Sequence, residues 1–210
     1  MLDPTTFGVF LSAAIALAIT PGPGILYVMT RTLKGGKREG VMSSFGTAVG
    51  GMVHVFAAAF GISVIFATSA LAFNLVKYLG AAYLIYLGIK TLRSSGSLID
   101  MTTLQSAGSQ RAFLQGITVE VLNPKTALFF LAFIPQFINP EGIVFAQFLM
   151  LGTLSITLNT SADLVVALLA GPLGQRLATN RRLQARQRYL TGTGLIALGG
   201  YVALTGSNQD

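Results

Sequence analysis

Long apolar stretches without a charged side chain alternate with short basic stretches along this chain of 210 residues. The uncharged stretches are residues 4–30, 40–76, 78–89, 126–140, 142–162 and 189–209. A helix that crosses a bilayer needs about 20 mostly apolar residues, so the stretch 40–76 is too long for one helix. With this region divided near residues 68–72, the pattern predicts six membrane-spanning helices. Their predicted bounds are 5–30, 41–67, 71–92, 113–135, 143–170 and 189–206.

The basic residues indicate how these helices are oriented. Most of the 14 lysines and arginines fall in three alternate loops between the predicted helices. They are Arg31, Lys34, Lys37 and Arg38, then Lys90, Arg93 and Arg111, then Arg176, Arg181, Arg182, Arg186 and Arg188. Basic loops stay on the cytoplasmic side of a membrane, so the pattern predicts cytoplasmic loops here and both termini outside. A wrong helix count would scramble this alternation.

The overall composition agrees with a membrane protein. Charged residues make up 10% of the chain and hydrophobic residues 52%, with a mean hydropathy of +0.68, whereas soluble domains have about 25% charged residues. So little charge cannot cover a soluble globule, and this excludes a cytosolic enzyme and a disordered chain. The net charge of +7 lies in loop clusters, which favours orientation over a nucleic-acid partner.

The sequence offers little material for metal or cofactor chemistry. It contains no cysteine and one histidine, His54, so disulfides, thiolate chemistry and a His-rich zinc site are excluded. Walker and dinucleotide-binding motifs are also missing from the sequence. We therefore expect no metal, no cofactor and no enzymatic activity.

One short motif occurs twice. The pattern Tyr-Leu-x4-Leu-Ile-x-Leu-Gly covers residues 78–88 and again 189–199, at an offset of 111. Each copy lies in the last helix of a three-helix half, which predicts one membrane domain, 1–210, built from two repeats. The predicted repeats are 1–93 and 113–210, joined by a cytoplasmic linker, 94–112. Because three is odd, the second repeat inserts upside down, and inverted repeats are typical of secondary transporters.

Each half begins with a helix that the sequence interrupts. The first predicted helix contains Thr20-Pro21-Gly22-Pro23-Gly24, and the fourth contains Asn123-Pro124-Lys125. Proline removes backbone donors and glycine lowers helix propensity. At 1.5 Å per residue both breaks lie near the membrane midplane. Paired breaks in corresponding positions indicate a transporter binding site, although two structural proline kinks are the alternative.

These breaks supply the predicted substrate-binding residues. N–H groups freed at the start of a half-helix can bind a carboxylate, and Lys125 is a second candidate partner. The predicted substrate-binding set is Pro21, Gly22, Pro23, Gly24, Asn123, Pro124 and Lys125.

Two carboxyl groups and one imidazole also lie at membrane depth. A charge there costs about 2.5–3.5 kcal/mol on insertion scales, so it invites a functional interpretation. We expect Asp163 or Glu120 to bind the substrate ammonium, or to alternate between binding a proton and binding substrate. The polar residues Thr157, Asn159 and Thr160 are expected to share the helix face of Asp163. The alternative for Asp163 and Glu120 is that each is a buried carboxylate with a purely structural role. The alternative for Lys125 is that it forms a structural ion pair. His54 is a candidate proton relay or a polar group satisfied by a neighbour.

The longer motifs resemble a known family. The chain is similar to the LysE/RhtB family of bacterial amino-acid exporters in segments 19–24, 83–88, 123–130 and 133–137. These segments read Ile-Thr-Pro-Gly-Pro-Gly, Tyr-Leu-Ile-Tyr-Leu-Gly, Asn-Pro-Lys-Thr-Ala-Leu-Phe-Phe and Phe-Ile-Pro-Gln-Phe. The resemblance covers essentially the whole chain and implies an exporter of amino acids in the bacterial inner membrane, driven by the proton gradient. Many members carry an acidic residue or Asn where this chain has Gly24, so no role is carried over to that position.

The sequence therefore predicts an all-α integral membrane bundle of six helices in two inverted repeats, with broken first and fourth helices. Its predicted function is secondary active export of amino acids or close derivatives by proton antiport. A channel, or an exporter of another small solute or cation, is the alternative. The expected partners are an amino-acid substrate and the lipid bilayer, with no nucleic acid. Gly46 and Gly50 predict close helix contact, within a subunit or in a homo-oligomer.

Overall fold

The computed structural model describes residues 4–20, 22–68, 70–93, 106, 108–179 and 181–204, and these residues form helices and short connections without strands. The helices are α1 (Pro4–Ile19), α2 (Pro23–Thr68), α3 (Ala70–Arg93), α4 (Ser109–Val121), α5 (Pro124–Leu128), α6 (Val144–Thr179) and α7 (Arg181–Leu204). A π-helical turn, Phe129–Phe133, and a 3-10 turn, Ile134–Phe137, continue α5. The all-α prediction is confirmed. Most of the predicted linker, 94–105 and 107, lies outside the described residues.

Helix α2 is two antiparallel arms rather than one rod. Its Gly36 has φ 78° and ψ 179°, a backbone conformation that favours glycine. In a straight helix Gly24 and Thr47 would be about 34 Å apart, but a Cβ on Gly24 would lie 3.8 Å from the Thr47 methyl group. The chain therefore reverses at Gly36, inside the basic stretch where the sequence predicts a loop. We call residues 23–35 the first arm and residues 37–68 the second arm.

Both predicted interruptions end a helix. Helix α1 ends at Ile19, where the Thr20 hydroxyl bonds back to the Ala16 carbonyl at 2.6 Å. Proline occupies the first position of α2 and of α5, where its missing N–H costs nothing. Asn123 caps α5 by accepting a hydrogen bond from the Lys125 N–H at 3.1 Å. Helix α4 and the segment Pro124–Phe137 meet at a bend of 45°.

The helix ends differ from the sequence prediction on the basic side. The predicted loop 171–188 is helical for most of its length, because α6 continues to Thr179 and α7 begins at Arg181. Leu, Gln, Arg and Ala are good helix formers, so these helices continue where the apolar pattern stops. The hydropathy pattern therefore predicted where the apolar part of α6 ends and where that of α7 begins, but the helices themselves extend further.

Some of the described helices qualify as membrane spans by length and composition. They are the segments Pro23–Gly61 and Val144–Leu169, with the bent pair of α4 and Pro124–Phe137 as a third. The first of these contains the reversal at Gly36, and α1 is apolar but has 16 residues. The predicted count of six spans is not established by these criteria.

Glycines bring the second arm of α2 against α4. A Cβ on Gly46 would collide with the Phe113 carbonyl oxygen, and one on Gly50 would lie 2.6 Å from the Ile117 carbonyl oxygen. On the facing helix, a Cβ on Gly116 would lie 2.8 Å from the Ser43 carbonyl oxygen. The expected close contact of Gly46 and Gly50 therefore occurs within this chain.

Helices α3 and α7 cross in the same way. A Cβ on Gly88 of α3 would lie 2.6 Å from the Ile196 side chain of α7. In turn, a Cβ on Gly199 of α7 would lie 2.8 Å from the Ile85 side chain of α3. The two helices run antiparallel through this crossing.

An aromatic core fills the end of the molecule where α1 begins. Its buried rings are Phe10, Phe129, Phe130, Phe133, Phe137 and Phe148. The centroids of Phe10 and Phe137 are 5.4 Å apart, with the rings edge to face. This core fills the space between the two helix breaks and the end of the molecule at which α1 begins.

Candidate functional site

The two helix breaks meet through the side chain of Lys125. Its ammonium group donates hydrogen bonds to the carbonyl oxygens of Leu17 at 3.0 Å and Thr20 at 2.8 Å. Carbonyls in the last turn of a helix lack helical partners, and they attract a cation. A Cβ on Gly22 would lie 3.2 Å from the Lys125 side chain, so glycine leaves room for the lysine. The buried Lys125 thus ties the start of α5 to the end of α1.

Glu120 lies on the other side of the second break. Its Oε2 accepts a hydrogen bond from the Asn123 amide at 3.0 Å, and its Oε1 accepts one from the Thr126 hydroxyl at 2.5 Å. A Cβ on Gly24 would lie 2.6 Å from Glu120 Oε2. This contact gives a physical reason for glycine at position 24, because the carboxylate of Glu120 occupies the space beside it.

Asp163 is buried where α6 faces the second arm of α2. The Thr47 hydroxyl oxygen lies 2.9 Å from Asp163 Oδ2 and also 2.9 Å from the Ser44 carbonyl oxygen. A hydroxyl donates one hydrogen. If it donates to Ser44, a protonated Asp163 can donate to Thr47; if it donates to Asp163, the carboxylate is ionised. The same geometry therefore accommodates both protonation states of Asp163.

These three ionisable side chains line one cavity. Its remaining lining combines neutral polar groups with small or branched apolar residues. They are Ala18, Gly24, Ile25, Thr47, Ala48, Asn123, Thr126, Ile156, Asn159 and Thr160. The cavity volume is about 20 Å³, enough for one water molecule and too small for an amino acid.

The structure brings most of the predicted site residues together. Gly24, Asn123, Lys125, Glu120 and Asp163 line the cavity, and Gly22 is buried beside Lys125. Pro23 and Pro124 begin their helices and are not among the cavity-lining residues. Pro21 lies outside the described residues.

The sequence left open whether Lys125 forms an ion pair with Glu120 or Asp163. In the structure each of these three side chains has a different hydrogen-bond partner. The Lys125 ammonium bonds to backbone carbonyls, Glu120 to Asn123 and Thr126, and Asp163 to Thr47. None of these hydrogen bonds joins two of the three ionisable side chains directly.

His54 lies behind the site. Its Nε2 is 2.9 Å from the backbone carbonyl oxygen of Glu120, and its ring stacks on Phe130 with centroids 6.4 Å apart. A carbonyl oxygen accepts hydrogen bonds, so Nε2 is the donor in this contact. This geometry fits the interpretation of a polar group satisfied by a neighbour.

Other site residues were missed or only partly anticipated by the sequence analysis. Asn159 and Thr160 line the cavity with Asp163, whereas Thr157 is exposed and bonds within its own helix. Thr47 was missed because its position depends on the reversal at Gly36. Thr126 was missed although it directly follows Lys125 in the second interruption.

A second buried polar cluster lies near the turn of α2. Glu39 accepts hydrogen bonds from the Ser106 hydroxyl at 2.6 Å and the Gly108 N–H at 2.9 Å. Its other carboxylate oxygen lies 3.9 Å from the guanidinium group of Arg31. The cluster links the two arms of α2 with the segment that enters α4.

Arg31 extends this cluster to α4. Its guanidinium group donates to the Gln115 side chain, and its Nε donates to the Tyr27 hydroxyl at 3.3 Å. Tyr27 in turn donates to the Ala112 carbonyl oxygen at 2.7 Å. The cluster begins about 10 Å along the first arm from Gly24 and closes the molecule at the Gly36 end.

Comparison with known proteins agrees with these features. The family model of the LysE type translocators matches residues 15–206. A homoserine/homoserine lactone efflux protein of Salmonella typhimurium is 36% identical over 169 residues, which cover 80% of each chain. An uncharacterized membrane protein of Vibrio cholerae is 30% identical over 190 residues, 90% of this chain and 92% of that one. A leucine efflux protein of Salmonella typhimurium is 33% identical over 134 residues, 62% of each chain.

No solved structure matches this chain. The family match covers both helix breaks, both copies of the repeated motif and every cavity-lining residue. The resemblance drawn from the motifs is thereby confirmed, and two of these three relatives are named efflux proteins, which are transporters rather than enzymes. The chain belongs to the family of LysE type translocators, which are membrane transport proteins.

Proposed function

We propose that this protein is a secondary active transporter that exports an amino acid or a close derivative in exchange for protons. One observation carries the proposal: a buried ammonium group and two buried carboxyl groups line one cavity between two helix breaks. A zwitterionic amino acid presents one carboxylate and one ammonium group, so this site offers complementary charges for both. The efflux relatives support the direction of transport.

The substrate carboxylate is assigned to Lys125 and the start of α2. Gly24 and Ile25 are in the first turn of α2 and line the cavity, and N–H groups in a first turn have no helical partners. Such a terminus favours an anion. Gly22, Pro23, Asn123 and Pro124 lie at the two breaks beside this position, and Pro21 is included in the proposed binding set from the sequence alone.

The substrate ammonium is assigned to Asp163 or Glu120. Asp163 is the better candidate for proton exchange, because its Thr47 partner can stabilise either protonation state. Glu120 already accepts hydrogen bonds from two side chains. In the proposed cycle, substrate leaves toward the outside as Asp163 takes up a proton, and the proton is released to the cytoplasm before the next substrate binds. In this proposal His54 supports the site by holding the backbone carbonyl of Glu120 in place, and it does not carry the proton itself.

We also propose the topology that this cycle needs. Six membrane crossings arise if α1 and the first arm of α2 form one span, and α4 and Pro124–Phe137 another. The Gly36 end then faces the cytoplasm of a bacterial inner membrane, and both termini lie outside. The whole chain, 1–210, is one membrane domain with repeats 1–93 and 113–210 joined by the linker 94–112.

The crossing of α3 and α7 supports inverted repeats. The offset of 111 makes Gly88 equivalent to Gly199, and Ile85 equivalent to Ile196. The contact of Gly88 with Ile196 and the contact of Gly199 with Ile85 are therefore the same contact seen from each repeat. Antiparallel helices with exchanged contacts are expected for two repeats related by a two-fold axis in the membrane plane.

Buried groups at both ends of the site favour a transporter over a channel. Aromatic residues close the α1 end, and the Arg31 cluster closes the Gly36 end. Alternating access requires that these two closures open in turn. A conducting pore would need both open together.

Efflux from cells tests this proposal. Cells that express the protein are loaded with mixed amino acids or dipeptides, and the medium is profiled by mass spectrometry with and without a protonophore. We expect selective accumulation of one or a few amino acids, which the protonophore suppresses. The Asp163→Asn variant should lose this accumulation, while Glu141→Gln, an exposed carboxylate outside the site, should retain it.

The outcomes separate the alternatives. Full export by Asp163→Asn would contradict the proton-coupling role. Export that follows the solute gradient regardless of the protonophore would indicate a channel. A membrane-inserted protein that changes no amino acid but exports another solute or a cation would refute the amino-acid assignment.

A further inference from the structure

Helix α1 has two very different faces. Phe10, Ala14, Leu17 and Ala18 are buried, and Phe10 packs on Phe137. On the side that faces α7, which Leu17 also borders, an apolar cavity of about 380 Å³ separates α1 from α7. A gap of this size lies between the helices partly because both contribute small residues to its walls. These are Ala13 and Ala16 of α1 and Gly194 and Ala197 of α7.

The end of α1 next to the site is a break in the helix. Helix α1 stops at Ile19 and α2 begins at Pro23, with the buried Gly22 between them. The sequence has proline at positions 21 and 23, and proline has no N–H to donate, so the helical hydrogen-bond pattern cannot run unbroken through this connection. Residues 4–19 can therefore move as one rigid rod about this connection.

Lys125 holds the rod at that end. Its ammonium group bonds to the carbonyl oxygens of Leu17 and Thr20, at 3.0 and 2.8 Å. The same ammonium group is the proposed partner of the substrate carboxylate. A carboxylate carries a full negative charge, whereas a carbonyl carries only a dipole, so a carboxylate competes well against two carbonyls for this ammonium group.

We infer that α1 is the gate at its own end of the molecule and that Lys125 is its latch. When the latch is released, α1 pivots about the helix break that follows Ile19 and moves into the cavity beside α7. That movement separates Phe10 from Phe137 and uncovers the side of the site formed by Ala18. The inference rests on the proposed function for what releases the latch, a substrate carboxylate, but the latch itself is testable without substrate.

A distance measurement tests the latch. The chain has no native cysteine, so Gly8→Cys and Gly200→Cys give one spin label on α1 and one on α7. A Cβ at either glycine meets nothing within 4 Å, which makes both tolerant labelling positions. Label-to-label distances are recorded by pulsed electron paramagnetic resonance in lipid nanodiscs, without amino acid. The Lys125→Met variant should shift the distribution toward shorter α1–α7 distances, and Lys125→Arg should shift it less because it retains the charge.

An unchanged distribution in a folded Lys125→Met protein would overturn the latch. The distance could instead shift in Lys125→Met but stay unchanged when amino acids are added to the protein with native Lys125. That result would support the latch and count against an amino acid as the substrate. The two failures are therefore distinguishable.

A second variant tests the gate even if Lys125→Met does not fold. A Cβ on Gly194 would approach Thr20 Oγ1 at 3.9 Å and is otherwise free, so leucine there fits this structure and fills the cavity. Gly200→Leu is the matched control on the same helix. We expect Gly194→Leu to lower the transport rate about tenfold or more, with Gly200→Leu near the unmodified rate. Equal rates for the two leucine variants would contradict a gate that moves into this cavity.

Discussion

At the scale of single residues, the site depends on glycines that leave room for charged neighbours. Gly24 is the clearest case, because a Cβ there would lie 2.6 Å from Glu120 Oε2. We expect Gly24→Ala to displace the carboxylate and to lower the transport rate about tenfold or more, since small displacements of binding groups are costly. Initial rates in vesicles with equal protein content measure this effect.

Two variants make the interpretation of Gly24→Ala specific. Gly8→Ala adds the same methyl group where nothing lies within 4 Å and should transport normally. Shortening the neighbouring acid in the double variant Gly24→Ala/Glu120→Asp should restore part of the rate. No restoration, although the Glu120→Asp single variant transports at a normal rate, would mean that the methyl group acts by another route.

His54 supports the backbone of Glu120 through a donated hydrogen bond. Glutamine can donate from a similar position, so His54→Gln should keep transport and its pH dependence. His54→Leu removes the donor and should lower stability by about 1 kcal/mol, measured as a lower melting temperature in detergent. If His54→Gln folded but exported without moving protons, His54 would be a proton relay instead.

At the scale of helices, close crossings depend on glycines facing backbone. A side chain at Gly46 would meet the Phe113 carbonyl, so the second arm of α2 and α4 must separate to admit it. We expect Gly46→Val to destabilise the protein by about 1–3 kcal/mol, while Gly61→Val on the same arm has open space and little effect. Thermal unfolding of both variants in one detergent makes the comparison, and equal melting temperatures would contradict the packing.

The sequence predicted local features of the helices better than distant ones. Proline and glycine interrupt helices by local sterics, so both breaks were found, and the division near residues 68–72 matches the end of α2 at Thr68. The ends of α6 and α7 were missed because helix propensity continues past the apolar layer. Thr47 and Ile156 could not be found, because both reach the cavity only through packing between separate helices.

At the scale of the whole molecule, the site lies between two closures of different chemistry. The Gly36 end is closed by the buried Arg31 and Glu39 cluster, so weakening it should open the proposed cytoplasmic side. We expect Glu39→Gln to raise the labelling rate of Ala48→Cys, a cavity-lining position, by a membrane-impermeant thiol reagent added from that side. Arg38→Gln changes an exposed neighbour and should leave the rate unchanged. Equal rates in the two backgrounds would show that the cluster does not gate this side.

The charge pattern along the chain and the repeated motif predict two inverted repeats related by a two-fold axis. The contacts of Gly88 and Gly199 fit that symmetry in three dimensions. The cavity itself was beyond sequence reasoning, because it combines residues from α1, both arms of α2, α4, α5 and α6.

The most direct test of the central claim uses purified protein in liposomes that contain a pH-sensitive dye. An outward gradient of the exported amino acid is imposed, and amino-acid efflux and lumenal pH are recorded together. The account predicts that efflux acidifies the lumen, and that an imposed inward proton gradient accelerates efflux. Asp163→Asn should abolish the acidification. Amino-acid efflux without proton movement, or acidification that persists in Asp163→Asn, would contradict the account.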